Sequence, residues 1–325
     1  MQKISDKLVQ LVDILDDQQY HDGTSIGNSL NITRAAVWKY IKKLIDYDVQ
    51  IESVKGKGYL LKQPMSFLNA KKIKDCLSDA SISVSSFEKI TSTNEYLKTQ
   101  INDFKQISVC LAEMQEQGKG RFNRQWHSPF GKNIYCSVKY PFQKDVSELA
   151  GLSLVISLAV STTIEESINN CLPVFVKWPN DIIIADKKVS GSLVEITAES
   201  NGFSTVIVGV GLNVNMMSDH KKQIDCQWTS LQRVTNTHHD RNHSCAILIK
   251  NLIKYLKKFE KSGLKIFYDE WTRRDYLLEK RIGLLADSSV VKGKGRGINS
   301  QGHLVLVTDD DQKQAFSSGD TTVLM

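Results

Sequence analysis

Hydrophobic periodicity changes twice along this chain, and that limits what it can fold into more than any single residue does. From residue 1 to 64 the apolar positions recur at helical spacing: Leu8, Leu11, Val12 and Leu15 in one segment, a short second segment over 24–30, and a third from Arg34 to about Tyr47. From 65 to 274, runs rich in β-branched residues (107–111, 134–139, 174–176, 181–184, 189–195 and 205–210) alternate with amphipathic helical patterns over 146–168 and 245–259. From 275 to 325 only short strands remain, at 282–285, 290–296, 304–308, 314–316 and 322–324, separated by turn clusters at 299–302 and 317–320. Strands joined to helices by hairpin-like gaps at 185–187 and 200–202 indicate an α+β fold, and five short strands in the last fifty-odd residues indicate a small β-barrel. The 325 residues exceed one ordinary domain, and the three zones divide them as 1–64, 65–274 and 275–325.

Composition removes several classes. Hydrophobic residues at 41% and charged residues at 24% are the balance of a folded globular chain, not of a disordered one. The six cysteines are far apart with no C-x-x-C pair, which argues against a zinc ribbon or a disulfide-stapled secreted fold. The longest apolar stretch, 151–160, is short and interrupted by Ser153 and Ser157, and the first residues lack a signal peptide's apolar core. A cytoplasmic protein with reduced thiols is expected. A net charge of +6 is too small for a chain coated in nucleic acid, so a polyanion must meet a local patch.

Such a patch lies in the first zone. Thr33 is a good N-cap for the third helix, whose Val37, Ile41, Leu44 and Ile45 define an apolar face. Arg34, Lys39, Lys42 and Lys43 fall largely elsewhere. After the helix, two short strand patterns are joined by Lys55-Gly-Lys57-Gly, a flexible basic tip. Between residues 31 and 62 the balance is +4, whereas the first thirty residues are acidic. Helix, turn, capped helix and basic wing in this order describe a winged helix-turn-helix, with Thr33, Arg34, Lys39, Lys42, Lys43, Lys55 and Lys57 as candidate DNA contacts. The plainer alternative is a three-helix interaction module with solvated lysines.

The densest chemistry is in the second zone. In Gln115-Glu-Gln-Gly118-Lys119-Gly120-Arg121-Phe-Asn-Arg124-Gln-Trp126, glycines permit close backbone approach, three cations await an anion and an indole offers an apolar cover. The spacing is neither a P-loop nor a dinucleotide fingerprint, and a mobile basic turn is the plainer reading. Lys177-Trp-Pro-Asn-Asp181 follows, with Lys177 suited to neutralising an anion and Asp181 to holding magnesium or an amine; an ordinary Pro-Asn turn is the alternative. Lys188 and Gly191 come next, and then Gly209-Val-Gly211-Leu-Asn213, where two small residues admit a flat ligand or mark a bulge. Fixed cations and magnesium are what the joining of two anions, a carboxylate and a triphosphate, requires.

With these residues in view, the chain resembles the bifunctional biotin–protein ligases/biotin operon repressors of the BirA type. The resemblance is carried by Thr33-Arg-Ala-Ala-Val-Trp-Lys39, Gly56-Lys-Gly-Tyr59, Ser92-Thr-Asn94, the 118–126 loop, Ser128-Pro-Phe-Gly131, 177–181, Lys187-Lys-Val-Ser-Gly191 and 209–213, in the family's order. It implies a central domain of the biotin/lipoate ligase type and an SH3-like C-terminal barrel. The implied reaction uses biotin and ATP-Mg²⁺ to form biotinyl-5′-adenylate, then transfers biotin to a lysine of a biotin carboxyl carrier protein. Ser92, Thr93, Asn94 and Gln115 would hold biotin, and Gly118, Lys119, Gly120, Arg121 and Arg124 would close over the adenylate beside Trp126, Gly191, Gly209 and Gly211. Lys188 would meet the carboxylate and phosphate, with Arg121, Asp181 and Lys177 completing the catalytic set. Asp181 and Asn213 would serve magnesium, and Trp228 would cover adenine. The adenylate-bound form would dimerise and bind an operator of biotin-synthesis genes.

The family loop generally has Arg where this chain has Lys119. Because lysine cannot form the bidentate fork, weaker adenylate retention is expected. His238, His239 and His243 are set aside as metal ligands, because the run 237–242 reads as a polar loop. Asp309-Asp-Asp311 is read as a hairpin tip. Three alternatives stay open: a ligase whose DNA-binding head is only structural, a biotin-sensing repressor without enzymatic activity, and a lipoate-type acyl ligase of the same fold.

Overall fold

The computed structural model describes residues 1–77, 79, 81–100, 106–198, 204–219, 223–286 and 289–324. In the first zone, α1 (Asp6–Leu15), α2 (Gly23–Leu30) and α3 (Arg34–Asp46) bury Leu8, Leu11, Val12, Leu15, Ile26, Leu30, Val37, Ile41 and Leu44 in one core. Thr33 Oγ1 caps α3 by accepting from Ala36 N at 3.2 Å, and Asn31 makes the turn before it in the left-handed conformation, φ 50°. β1 (Ile51–Val54) and β2 (Gly58–Leu61) form the antiparallel wing. Two expectations need correction. Ile45, at the rim of the apolar stripe, is 45% exposed. Lys43 does not reach freely into solvent, because its ammonium is 2.5 Å from the buried carboxylate of Glu88.

The second zone opens with α4 (Ala70–Leu77), β3 (Ser83–Phe87), α5 (Thr93–Thr99), β4 (Ser108–Ala112) and β5 (Ile134–Phe142). It continues through α6 (Leu152–Ser167), β6 (Phe175–Lys177), β7 (Asp181–Ile184), β8 (Lys187–Ala198) and β9 (Ser204–Leu212), then α7 (Leu231–Thr235), α8 (Arg241–Ser262) and α9 (Tyr268–Arg274). The strands make one seven-stranded sheet of order β3-β4-β5-β9-β8-β7-β6, antiparallel except for β3 against β4. α4, α6 and α8 cover one face, and α5 lies on the other against β4, β5 and β9.

The helix expected over 146–168 is broken. Residues Val146–Leu149 form a separate 3₁₀ turn, and Gly151, at φ +79° with Leu264 packed where a side chain would stand, starts α6 afresh. α8 begins at Arg241, capped by Asp240, so the polar stretch at 237–242 is helical in its last two residues. The gap at 200–202 lies outside the described residues. β3, α4, α5, α7 and α9 were not anticipated, being short or weakly periodic.

The third zone is strand-rich as expected: β10 (Arg281–Ala286), β11 (Ser289–Ile298), β12 (Leu304–Thr308), β13 (Lys313–Phe316) and β14 (Asp320–Val323) form a sheet of order β13-β12-β11-β10-β14. The 309–311 tip is a turn, with Thr308 Oγ1 donating to Asp310 Oδ1 at 2.6 Å. Trp178 Nε1 donates to Gly302 O at 3.1 Å, so this module is fastened to the β6–β7 turn. Among the described residues no helix is long and apolar enough to cross a membrane.

Candidate active site

Alternation along three neighbouring strands builds the site. Cys136, Val138, Val206, Val208 and Val210 face α6 and α8 in the main core. Their neighbours Ser137, Lys139, Ile207, Gly209 and Gly211 therefore face the α5 side, as do Gly191 and Glu195 of β8. A Cβ on Gly211 would lie 2.2 Å from the Trp126 ring, and one on Gly209 would lie 2.3 Å from Asn94 Oδ1. The two glycines are thus the floor on which an indole and a carboxamide rest, not a bulge, because the β9 register runs unbroken through them.

Around that floor the polar groups are locked to one another. Thr93 donates from its amide (2.9 Å) and hydroxyl (3.1 Å) to Gln115 Oε1, while Gln115 Nε2 donates to Ser128 Oγ at 3.2 Å. Ser137 Oγ lies 2.6 Å from Thr93 Oγ1 and 2.5 Å from Asn94 Oδ1. Asn94 Nδ2 donates to Glu195 Oε2 at 2.7 Å, and Lys98 Nζ is 2.6 Å from Glu195 Oε1. Ser92 caps α5 through its backbone and is buried with no side-chain capping bond.

The cations gather at the other end. Lys188 Nζ is 2.7 Å from Asp181 Oδ1 and 5.3 Å from the Trp126 ring centroid. The Trp126 indole N–H is buried and has no hydrogen-bond partner among the described residues, a donor aimed at no protein acceptor. Register pairs Asp181 with both Lys177 on β6 and Gly191 on β8. Burial holds the Lys177 ammonium below the ordinary lysine range, with Asp181 and Asp320 pulling it partly back. The loop folds on itself through Gly120 N→Arg124 O (2.7 Å) and Trp126 N→Gly118 O (2.8 Å), and its tip residues Phe122 and Asn123 are left-handed. Arg121 is half-buried with Asp320 and Asp181 as its acidic neighbours, Arg124 pairs with Asp320, and Lys119 Nζ is 2.8 Å from Glu95 Oε1.

The remaining candidates divide. Trp228 stands beside Lys188, since Lys188 N donates to Gln227 O (2.9 Å) and Thr229 N to Lys188 O (2.8 Å), and the Arg233 guanidinium covers its ring at 4.4 Å. Asn213 braces this segment: its Nδ2 donates to Thr229 O at 3.1 Å, and its Oδ1 accepts from Asn133 at 3.3 Å. A carboxamide engaged on both sides in a buried position is a poor metal ligand. His238 and His239 bond to Asn215 and Thr235, and no group of three or more metal-type residues occurs among the described residues. Thr33, Arg34, Lys39, Lys42, Lys55 and Lys57 belong to α3 and the wing and do not enter this site. Lys42 lies over the exposed Trp38 ring at 5.4 Å and Lys57 over Tyr20 at 5.6 Å.

Sequence reasoning missed Glu95, Lys98, Ser137, Glu195 and Asp320. Glu195 carried a signal, lying four residues beyond Gly191 on one strand face; Asp320, nearly two hundred residues from Arg124, carried none.

The head is seated against this domain, not strung from it. Tyr47 donates to Glu88 Oε1 at 2.9 Å and stacks on Phe130 with ring centroids 4.4 Å apart. Burial, then Glu88, push the Tyr47 phenol upward. Phe130 packs in the head's core, and the linker is held by Arg241, which donates to Ser66 O and pairs with buried Glu113 at 2.8 Å.

The chain is similar to known proteins along most of its length. Residues 86–213 match the biotin/lipoate A/B protein ligase family, and residues 7–60 match an HTH domain. The bifunctional ligase/repressor BirA of Escherichia coli K12 is 35% identical over 93% of this chain and 92% of its own. The bifunctional ligase/repressor BirA of Bacillus subtilis 168 is 26% identical over 92% and 93%. The structure of the Aquifex aeolicus biotin protein ligase in complex with biotin and ATP superposes with a TM-score of 0.63 at 28% identity, covering 74% of this chain and 98% of that one. An HTH match, a ligase-family match and 35% identity over 93% of the chain leave one assignment: the chain belongs to the family of the bifunctional ligase/repressor BirA.

Proposed function

We propose that this protein is an ATP-dependent biotin–protein ligase acting through biotinyl-5′-adenylate, and a repressor of biotin-synthesis genes with that adenylate as corepressor. The observation that carries the reading is the pairing of the Lys188 ammonium with Asp181 beside an indole N–H that has no acceptor among the described residues, above the Gly209–Gly211 floor. The Thr93, Asn94, Gln115 and Ser137 groups beside that floor suit a polar ureido head, and the cations at the other end suit the carboxylate at the end of its chain.

In the first step a carboxylate oxygen of biotin attacks the α-phosphorus of ATP and pyrophosphate leaves. Two anions approach one another, so pre-oriented cations stabilise the charge that builds in the transition state. Lys188 is the first of these; Arg121 and Lys177 support it. Thr93, Gln115 and Asn94, each held by a neighbour, orient the head without reorganising. The 118–126 loop excludes water from the mixed anhydride. In the second step the carrier lysine's amine attacks the acyl carbon and AMP departs, with Asp181 receiving the ammonium proton. Magnesium arriving with ATP would offset phosphate charge; Asp181 fits as a single protein carboxylate beside phosphate oxygens, whereas Asn213 stays a brace. The 1–64, 65–274 and 275–325 segments serve as DNA-binding, catalytic and C-terminal domains, the last of SH3 type. Six free cysteines among the described residues support a cytoplasmic setting.

Incubation with biotin, ATP-Mg²⁺ and a biotin carboxyl carrier domain tests the first activity: pyrophosphate is released and the acceptor gains the biotinyl mass. No pyrophosphate would end the ligase reading. Adenylate-loaded protein should sediment as a dimer and retard DNA from upstream of biotin-synthesis genes; binding equal with and without adenylate would end the corepressor reading.

A further inference from the structure

Two ion pairs fasten the 118–126 loop to the elements beside it. On the outgoing arm Lys119 Nζ lies 2.8 Å from Glu95 Oε1 in the first turn of α5; on the returning arm Arg124 pairs with Asp320 at the start of β14. Glu95 Oε1 also accepts from Lys98 at 2.9 Å, and Lys98 reaches Glu195, whose other oxygen holds Asn94 on the pocket floor. Lys119 is therefore the outer end of an alternating chain of charges whose inner end, Glu195, accepts a hydrogen bond from Asn94. Lys119 and Lys98 together hold the Glu95 carboxyl below the usual carboxylate range. The cation that stands beside Trp126 is Lys188, not Lys119.

We infer that Glu95 is a positioning residue and Lys119 its anchor: the pair pins the loop's stem to α5 and thereby sets how long the adenylate is retained, with no direct contact from Lys119 to phosphate. The inference rests on the ligase reading, and it replaces the phosphate contact that the sequence alone suggests for Lys119. A partly exposed pair contributes modestly, so its removal should change release about twofold to fivefold. The effect belongs to release because the tether acts on the cover, not on the reacting atoms.

The test uses the full chain and the variants Glu95→Gln, Lys119→Met, Lys119→Arg and the Glu95→Gln/Lys119→Met double. Biotinyl-adenylate formation is followed in a single turnover, and its release by chase with unlabelled biotin and ATP. Glu95→Gln and Lys119→Met should each speed release, the double no further than either, while formation moves less than release. Lys119→Arg, which keeps the pair, should release at the wild-type rate. Slower release from Lys119→Arg, longer retention by Glu95→Gln, or additive effects in the double would each overturn the inference. Limited trypsinolysis of the unliganded protein supplies an arm independent of catalysis: Glu95→Gln should be cut faster within the loop than wild type, and equal cutting would also sink the anchor. Absence of adenylate from the wild type would instead defeat the ligase reading, leaving the protease arm to decide the anchor.

Discussion

Two cationic regions of this molecule treat their charges differently. On α3 and the wing, Arg34, Lys39, Lys42, Lys55 and Lys57 are exposed, and none makes an ion pair among the described residues. In the ligase domain Lys188, Lys119 and Arg124 each already have a carboxylate within ion-pair distance. The difference matches the ligands proposed for the two regions. A long polyanion gains by releasing counter-ions from many solvated contacts, so unpaired surface lysines serve it well. A small anion in a partly closed site needs a cation of fixed position, as half-buried Lys188 is beside Asp181, whereas the exposed Lys119 and Arg124 use their pairs to fasten the loop. Lys43 shows the boundary: it sits on the same helix as Lys39 and Lys42, yet it is spent on Glu88 at the seam between modules.

That contrast can be broken in order of expected effect. Lys188→Ala should lower adenylate formation by roughly a hundredfold to a thousandfold in a pyrophosphate assay, as loss of a pre-oriented charge does; a drop below tenfold would remove Lys188 from its role. Gly211→Ala puts a methyl group 2.2 Å from the Trp126 ring and should weaken biotin binding by about 1–3 kcal/mol in calorimetry. Unchanged affinity would mean that the indole does not rest where the ligand binds. In the head, neutralising Lys39 and Lys57 together should reduce the slope of log affinity for DNA against log salt by about 2, near 0.9 per phosphate contact, with ligase activity intact. Lys43→Ala should leave that slope unchanged; an equal drop would put Lys43 on DNA and erase the contrast. The smallest effect concerns pH. Burial lowers the Lys177 pKa, so its charge disappears as pH rises through a value below the ordinary lysine range. Wild-type kcat/KM should then fall at a lower pH on the alkaline side than that of Lys177→Arg, whose charge persists; coincident profiles would exclude Lys177 from anion binding.

The sequence was most legible where the signal is local. Thr33 as a cap and the apolar row Val37, Ile41 and Leu44 depend on neighbours within one or two helical turns, and both stand as expected. The short strands of the last zone were legible for the same reason. The 146–168 helix was misread because hydrophobicity continues across Gly151, while the break depends on Leu264 pressing against that glycine from another element. In the candidate site the motif residues were visible, but their partners were not: Glu95, Glu195 and Asp320 are ordinary acidic residues until the sheet and the C-terminal module bring them to Lys119, Asn94 and Arg124.

By itself, then, the amino-acid order determined the longer helices and most strands, the α+β character, the basic face of α3 and the identities of the candidate site's cations and glycines, because these follow from backbone geometry and side-chain chemistry over short stretches. Only the tertiary structure decided which of those charges are spent on carboxylates and which face solvent, since pairing depends on residues up to two hundred positions apart meeting across a β-sheet whose faces alternate. That pairing sets Lys188 beside Asp181 in the candidate site, joins Lys119 to α5 and ties α3 of the head to Glu88 through Lys43.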